Sequence, residues 1–495
     1  MSNQVSQQKT LNGIEEIKAY FKSNETPIYF LSATNFNLLG IDEWVNNFKY
    51  ISHIDSFNGQ HSNLFSPKEE VPHDDFQSIE DINNYLLQHP EVVSFIRSRS
   101  VTPKTGKVIF LMFDEKTEAL ASNIGLDVIM PSAKLRTFLD NKVNTNRIAE
   151  KAGVACVPYV LAPVSSYEEL CSISEKLGTD LVVQTPFGDS GHTTFFISSE
   201  ADFDHHKEEI TKEAEVKIMK RINCYGTAIE GCVTKYGTLV APLMTELVGF
   251  KELTPYKGGW CGNEIFPNAF TEDIREKAKK YTQLFGNQLH KEGYKGYFEL
   301  DFLIDKDNGE IYLGELNPRI SGVSSLTNHA KFAMDGVPLF LFHLLEWLNI
   351  PYEIDVNELT NKWAMSENMD SWSQMVIKHT RPTLEIAIKA PNSGIWEMKK
   401  NGSIQFAKMD SNLQSVISDN EAFFFQITQK DGYLYEGADL GILLMRGRLM
   451  SDDFELSERG KRWIKALRSQ YKSHIINPGI LDENDYLEGE GFKFM

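Results

Sequence analysis

The sequence predicts a multidomain chain that combines an α/β layer with α+β domains, and three observations lead there. At 495 residues it exceeds one ordinary core and suggests about two to four domains of roughly 100 to 200 residues. Strand and helix patterns alternate from about residue 25 to residue 135, the signature of an open α/β layer. The last third carries short strand patterns separated by turn residues such as Asn401-Gly402 and Asp431-Gly432, so the chain is expected to end in a β-rich domain.

Taken in order, residues 1–135 open with a polar helix from about Leu11 to Phe21. A buried-strand run, Pro27 to Ala33, leads into a helix through Trp44. A second apolar run, Lys107 to Phe113, precedes an acidic helix from Glu115 to Ile124 and a short strand at Asp127 to Pro131. Residues 136–350 differ in texture. A helix from about Asn144 to Ala152 stops at Gly153, where glycine tolerates the left-handed geometry of a helix end. A glycine-containing strand-loop-strand at 181–197, a helix at 271–291 and a hairpin at 296–322 follow. The most apolar stretch, Val337 to Ile350, is only about two-thirds of a bilayer span and carries His343 and Glu346, so it reads as a buried helix opened by Pro338. Residues 351–495 hold strands at 374–379, 384–389 and 423–427, a closing helix from Ser457 to Tyr471, and an acidic, solvated tail from Asp482 to Glu490.

Composition excludes several classes of function. A formal charge of −19, with no basic stripe, argues against a nucleic-acid partner, which requires clustered Lys and Arg to displace counterions. Cys156, Cys171, Cys224, Cys232 and Cys261 are odd in number, scattered and without a Cys-x-x-Cys pair, which argues against a disulfide framework or zinc site. The polar start, Met1 to Thr10, lacks the apolar core of a secretory signal. The expectation is a cytoplasmic protein with no membrane partner.

The chemistry concentrates in the hairpin. Apolar and polar residues alternate from Gly296, break at Asp307-Asn308-Gly309, and alternate again to Asn317. With a side-chain period of two, Asp301 shares a face with Glu299, and Glu315 shares one with Asn317. Oxygen donors converging from neighbouring strands suit a hard ion such as magnesium, which keeps waters and bridges to phosphates. Lys142, at the N-terminal edge of the 144–152 helix, can pair with a phosphate or face solvent. The loop with Gly188 and Gly191 is able to bring backbone amides close to an anion, but glycine-tipped hairpins are common. Glu230 reads equally as polar support for a substrate or metal and as an exposed strand glutamate. The loop from Lys251 to Asn263, with Tyr256, Gly258, Gly259 and Trp260, has the length of a substrate gate.

Together these motifs resemble the ATP-grasp superfamily, in its carboxylate-amine ligase type and with a biotin-carboxylase-like layout. The order carries the resemblance: Lys142 before a helix and Ala152-Gly-Val-Ala-Cys-Val-Pro158, then the strand-loop-strand, a hinge strand, Asp301, Glu315-Leu-Asn317 and Pro318-Arg319. It implies an N-terminal α/β pre-ATP-grasp domain (1–135), an ATP-grasp domain (136–350) with a lid at about 158–222, and a β-rich C-terminal domain (351–495). It further implies ATP with magnesium, or manganese in its place. Asp301, Glu315 and Asn317 resemble the metal ligands, Lys142 the phosphate-contacting lysine, and Arg319 the cation beside the γ-phosphate and acyl group. Gln184, Gly188, Ser190, Gly191, His192, Lys220, Ile222 and Glu230 fall at nucleotide-side positions.

Two departures stand out. Gln184 occupies the place of the family's second lysine, and the hinge strand Val216-Lys-Ile-Met-Lys-Arg-Ile222 lacks the usual acidic pair. The resemblance implies a ligase that activates a carboxylate as an acylphosphate and joins it to an amine, with small-molecule substrates and a homodimer as the assembly. A biotin-carboxylase-like carboxylase is the close competitor. Biotin carboxylases follow the arginine with Ile-Gln-Val-Glu-His, whereas this chain reads Ile320-Ser-Gly-Val-Ser-Ser-Leu-Thr-Asn-His329. A nucleotide-binding regulator that has lost turnover is the third reading.

Overall fold

A computed structural model describes residues 9–68, 71–72, 75–99, 106–188 and 193–477, and its architecture is the expected mixture of α/β and α+β parts. The acidic stretch 482–490 and the loop residues Asp189, Ser190, Gly191 and His192 lie outside the described residues.

The first layer is a five-stranded parallel sheet in the order Leu64–Phe65, Phe48–Ser52, Ile28–Ser32, Gly106–Phe110, Leu126–Val128. Its central strand, Ile28–Ser32, is buried at every residue, which is why it reads as a continuous apolar run rather than an alternating one. The helix expected through Trp44 is instead two short 3₁₀ turns, Phe36–Leu38 and Ile41–Glu43. Gly40 between them is left-handed at φ 86°, a geometry that interrupts an α-helix, and a Cβ there would lie 2.4 Å from His329 Nε2. The strand Phe48–Ser52 also sits where no element was expected.

The main sheet has eleven strands. From one edge it runs Ile311–Asn317, Gly296–Asp305, Cys224–Thr234, Met244–Val248, Trp260–Ile265, Trp372–Lys378, Asp439–Arg446, Glu421–Gln426, Gly394–Met398 and Ile404–Lys408, with Gly237–Val240 paired to Cys224–Thr234. The ladder therefore passes without interruption from the hairpin into the strands beyond residue 351. One face of the hairpin, with Phe298, Leu300, Phe302 and Leu316, packs in a common core with Ala278, Phe285 and Leu289 of the helix Glu272–Lys291 and with Ile148 and Ala149 of the helix Lys142–Ala152. The alternation that sends these side chains inward sends Glu299, Asp301, Glu315 and Asn317 to the other face.

A separate four-stranded antiparallel sheet, in the order Tyr159–Ala162, Val216–Lys220, Leu181–Gln184, Thr194–Ile197, has its own core of Leu181, Val183, Ile197, Val216 and Ile218. The closing helix is Glu458–Arg468, capped by the Ser457 side chain. Among the described residues no helix is long and apolar enough to cross a membrane.

Candidate functional site

The hairpin closes on a turn in which Asp305 accepts from the Asp307 amide at 2.8 Å through its side chain and from the Gly309 amide at 2.8 Å through its carbonyl, with Gly309 at φ 71°. That turn sets the register. Glu299 lies opposite Asn317 and Asp301 opposite Glu315, and a bulge follows immediately after the second pair. Directly opposed residues share a face, so all four side chains emerge together. Asn317 Nδ2 donates to Asp301 Oδ2 at 3.4 Å.

A further carboxylate joins them. Glu246 stands on Met244–Val248, and its Oε2 occupies the space that a Cβ at Gly226 would need, 2.2 Å away. Burial, then Glu299 and Glu315, raise the Glu246 carboxyl to about 8. Burial and the charges of Glu299, Glu246 and Glu315 push Asp301 well above the ordinary carboxylate range. Glu299 is raised by burial as well. A bound cation would reverse these shifts, because it favours the charged form of every carboxylate around it. Among the described residues no three His, Cys, Asp or Glu side chains form a ready metal cluster. The oxygen donors on this face that could hold magnesium are the Asp301 and Glu315 carboxylates and the Asn317 amide.

Cations surround this acidic face. Lys142 is the first residue of its helix, fixed there because the Asn141 side chain accepts from the amides of Val143 and Asn144. It is buried, 4% exposed, and ion-paired to Glu315, which removes the solvent-facing reading. Its backbone amide donates to Pro186 O at 2.8 Å, so the helix start and the glycine loop are tied together. Arg319 is half-buried, donates to Ile320 O at 3.3 Å and sits close enough to Glu299 to oppose the rise that burial imposes on that carboxyl.

On the smaller sheet, Gln184 donates to Thr194 Oγ1 at 3.0 Å and lies directly opposite Lys217. On the same face, Val182 and Met219 are buried beside Val157, and Ile222, Leu303, Tyr159 and Tyr312 pack against them. These side chains form a small apolar cluster between the sheet and the hairpin, with Ile222 at its side. Lys220 lies apart from it: its side chain is exposed and its amide donates to Pro158 O at 3.0 Å. Gly188 has φ 139°, and a Cβ there would meet Thr193 at 2.1 Å, so only glycine fits at the loop's entry.

The segment Arg319-Ile-Ser-Gly322 is gripped from three directions. Asn37, just beyond the C-terminal end of the central parallel strand, donates to Ser321 O at 2.8 Å. Gln374 donates to Gly322 O at 2.8 Å. The Trp260 ring covers Gly322 closely enough that a Cβ would lie 2.6 Å from it, and its Nε1 donates to Asn263 Oδ1 at 2.7 Å. The last residues of the expected 251–263 loop are therefore strand, Trp260–Ile265. Glu230 is fully buried rather than exposed; it accepts from Ser324 Oγ at 2.7 Å, and burial followed by Glu299 raises it to about 7. Near this segment Asn35 and Asn328 each bury both side-chain amide atoms without a hydrogen bond, and Asn263 buries its Nδ2 likewise.

Lys217, Glu246, Asn37 and Gln374 are absent from the sequence expectations. The signal for the first two was present in Val216-Lys-Ile-Met219 and Met244-Thr-Glu-Leu-Val248, where one charged residue interrupts an apolar strand. Asn37 and Gln374 carry no local signal, because each acts across a long sequence separation.

No protein-family model matches the chain. A D-alanine–D-alanine ligase of Clostridium novyi (strain NT) is 22% identical over 232 residues, which cover 44% of this chain and 64% of that protein. The chain spans between 57% and 64% of the length of the curated relatives it matches. Among solved structures, the biotin carboxylase domain dimer of Hydrogenobacter thermophilus 2-oxoglutarate carboxylase, with magnesium ADP, ADP and bicarbonate, superposes with a TM-score of 0.58 at 12% identity over 91% of each chain. Carboxyaminoimidazole ribonucleotide synthase of Aspergillus clavatus, complexed with ATP, gives a TM-score of 0.52 at 14% identity, covering 86% of this chain and 94% of that one.

Proposed function

We propose that this chain, which has the ATP-grasp fold in a biotin-carboxylase-like layout, is an ATP-dependent carboxylate-amine ligase that joins two small molecules and releases ADP and phosphate. The observation that carries the reading is the crowding of Glu246, Glu299, Asp301 and Glu315 on one face of the sheet, with Lys142, Lys217 and Arg319 around it. A protein gains nothing in stability from such like-charge repulsion, whereas phosphoryl transfer to a carboxylate needs metal and cation compensation at one place.

Asp301, Glu315 and Asn317 would hold magnesium, which neutralises phosphate charge and orients the transferring group. Lys142 would leave Glu315 to the ion and turn its ammonium toward the phosphates. The apolar slot at Val182, Met219 and Ile222 would take the adenine. Arg319 would align the acyl carboxylate with the γ-phosphate, so that the group transfers in line and forms an acylphosphate. An amine then attacks the acyl carbon, phosphate leaves, and a carbon–nitrogen bond results, with no covalent enzyme intermediate. Asn37, Glu230, Gln374 and Trp260 fix the Arg319–Gly322 segment and thereby the acyl end of the cleft.

Phosphate release from magnesium ATP, screened over pairs of amino acids and small carboxylic acids with a separate bicarbonate arm, tests the reading. Release that requires both an acid and an amine, with a product lighter than their sum by one water, supports it. Release that requires bicarbonate supports the carboxylase. Nucleotide binding without turnover for any pair supports the regulator.

A further inference from the structure

We propose that Lys217 supplies the polyphosphate-binding cation that the strand entering the glycine loop lacks, the charge having moved from position 184 to its partner on the neighbouring strand. The inference rests on the ATP-site reading above and extends it to one residue.

Lys217 and Gln184 are directly opposed in the antiparallel pair Val216–Lys220 and Leu181–Gln184. Opposed residues share a face with their Cβ atoms about 5 Å apart, so a long ammonium-bearing side chain at either position reaches the same space. The face is settled by its neighbours. Val216 and Ile218 point into the smaller sheet's own core, whereas Met219 and Val182 belong to the slot shared with Leu303 and Tyr312 of the hairpin. With the same parity as Met219, Lys217 points to the hairpin, where Nζ donates to Gly314 O at 3.3 Å.

Lys217 is 1% exposed, and among the described residues it makes no ion pair, its hydrogen bond being to a neutral carbonyl. Lys142, equally buried, has Glu315. A buried ammonium without a counter-charge is costly. Burial lowers Lys217 to about 8; Cys156 opposes it, the neighbouring Lys142 reinforces it, and Glu315, already paired with Lys142, offsets it least. A structural lysine would carry a carboxylate partner, as Lys378 does with Asp439 in the C-terminal strands. An anion arriving between Lys142, Gln184 and Lys217 meets that need. Polyphosphate is the anion that an adenine slot on the same face would bring there.

The test compares ADP and adenosine, each competing with a fluorescent nucleotide in the presence of magnesium, on the full chain. Lys217→Met keeps the buried stem and removes the charge. It should weaken ADP by at least about tenfold, the scale of one charge-assisted hydrogen bond, and leave adenosine within about twofold. The exchange Lys217→Met with Gln184→Lys should return ADP affinity toward that of the parent. Equal ADP affinity in Lys217→Met and the parent would overturn the proposal. So would an equal loss of ADP and adenosine, which marks a structural lysine, or an exchange variant no better than the single one. A parent that binds neither ligand would instead overturn the ATP-site reading itself.

Discussion

The two ends of the proposed active site, nucleotide and acyl, are held together by different forces. At the nucleotide end, Asp301, Glu315, Glu246 and Glu299 face Lys142, Lys217 and Arg319, and several of these charges are buried with incomplete compensation. At the acyl end, Ser321 and Gly322 are fixed by neutral hydrogen bonds from Asn37 and Gln374 and by the Trp260 ring. The first arrangement stores electrostatic cost that a ligand relieves. The second positions a loop and costs little. Substitutions at the nucleotide end should therefore change chemistry more than stability, and those at the acyl end should do the reverse or change only substrate affinity.

The largest expected effect tests the charged end. Glu315→Gln removes one donor of the metal set and should lower phosphate release by about a thousandfold. The thermal midpoint should fall by only a few degrees, because a like-charge repulsion leaves with it while the buried Lys142 loses its ion pair. Turnover close to the parental rate would remove Glu315 from the metal.

Next comes the acyl end. Trp260→Ala uncovers Gly322 and should raise the KM for the carboxylate substrate by roughly tenfold while ADP affinity is unchanged. If ADP affinity fell in parallel, the two ends would be one coupled unit.

The third prediction concerns Glu230, which lies between them. Its carboxyl is raised from an ordinary value near 4.5 to about 7. Between those two pH values the folded state holds a proton that the unfolded state has released, so the native form loses stability as pH rises from about 4.5 to about 7 and levels off above. The contribution is on the order of 2–3 kcal/mol. In Glu230→Gln the loss of midpoint between pH 5 and pH 7.5 should shrink by this share, leaving the part due to Glu246, Glu299 and Asp301, which are raised likewise. A loss as large in the variant as in the parent would take Glu230 out of the slope.

The smallest effect belongs to Gln184→Lys on the parental background. With Lys217 opposite, a second ammonium meets like charge and polyphosphate at once, and ADP affinity should shift by less than about threefold. A gain of a hundredfold would mean that Lys217 does not reach the phosphates.

The charged end was legible in the sequence because its signals are local. Alternation around Asp307-Asn308-Gly309 predicts a hairpin, and a period of two puts Asp301 on one face with Glu299 and Glu315 on one face with Asn317; the register that sets Asp301 against Glu315 comes from the turn. Lys142 is legible as the N-terminal edge of a helix expected from about Asn144 and ended by Gly153; the helix itself starts at Lys142, where Asn141 caps it. Lys217 was not read, because a strand next to a hinge draws attention to its backbone, and the face of its side chain depends on a pairing with Leu181–Gln184 that no local pattern reports. The acyl end was largely illegible for the same reason. Asn37 meets Ser321 across 284 positions. The helix expected through Trp44 failed on Gly40, whose left-handed φ and contact with His329 are tertiary facts. The continuation of the hairpin's sheet into the C-terminal strands depends on the pairing of Trp260–Ile265 with Trp372–Lys378, which composition alone does not announce.

That continuous sheet has a mechanical consequence. Bending between the hairpin and the C-terminal strands would have to break a ladder of backbone hydrogen bonds, so those parts turn as one body. The smaller sheet with Gln184 and Lys217 shares no strand with it and is tied on by the amide of Lys142 on Pro186 and by Lys217 on Gly314. Moving the smaller sheet against that frame would also have to part the Arg147–Glu215 ion pair and the packing of Val182 and Met219 on Leu303 and Tyr312. Two of these links belong to lysines that the proposed polyphosphate would engage.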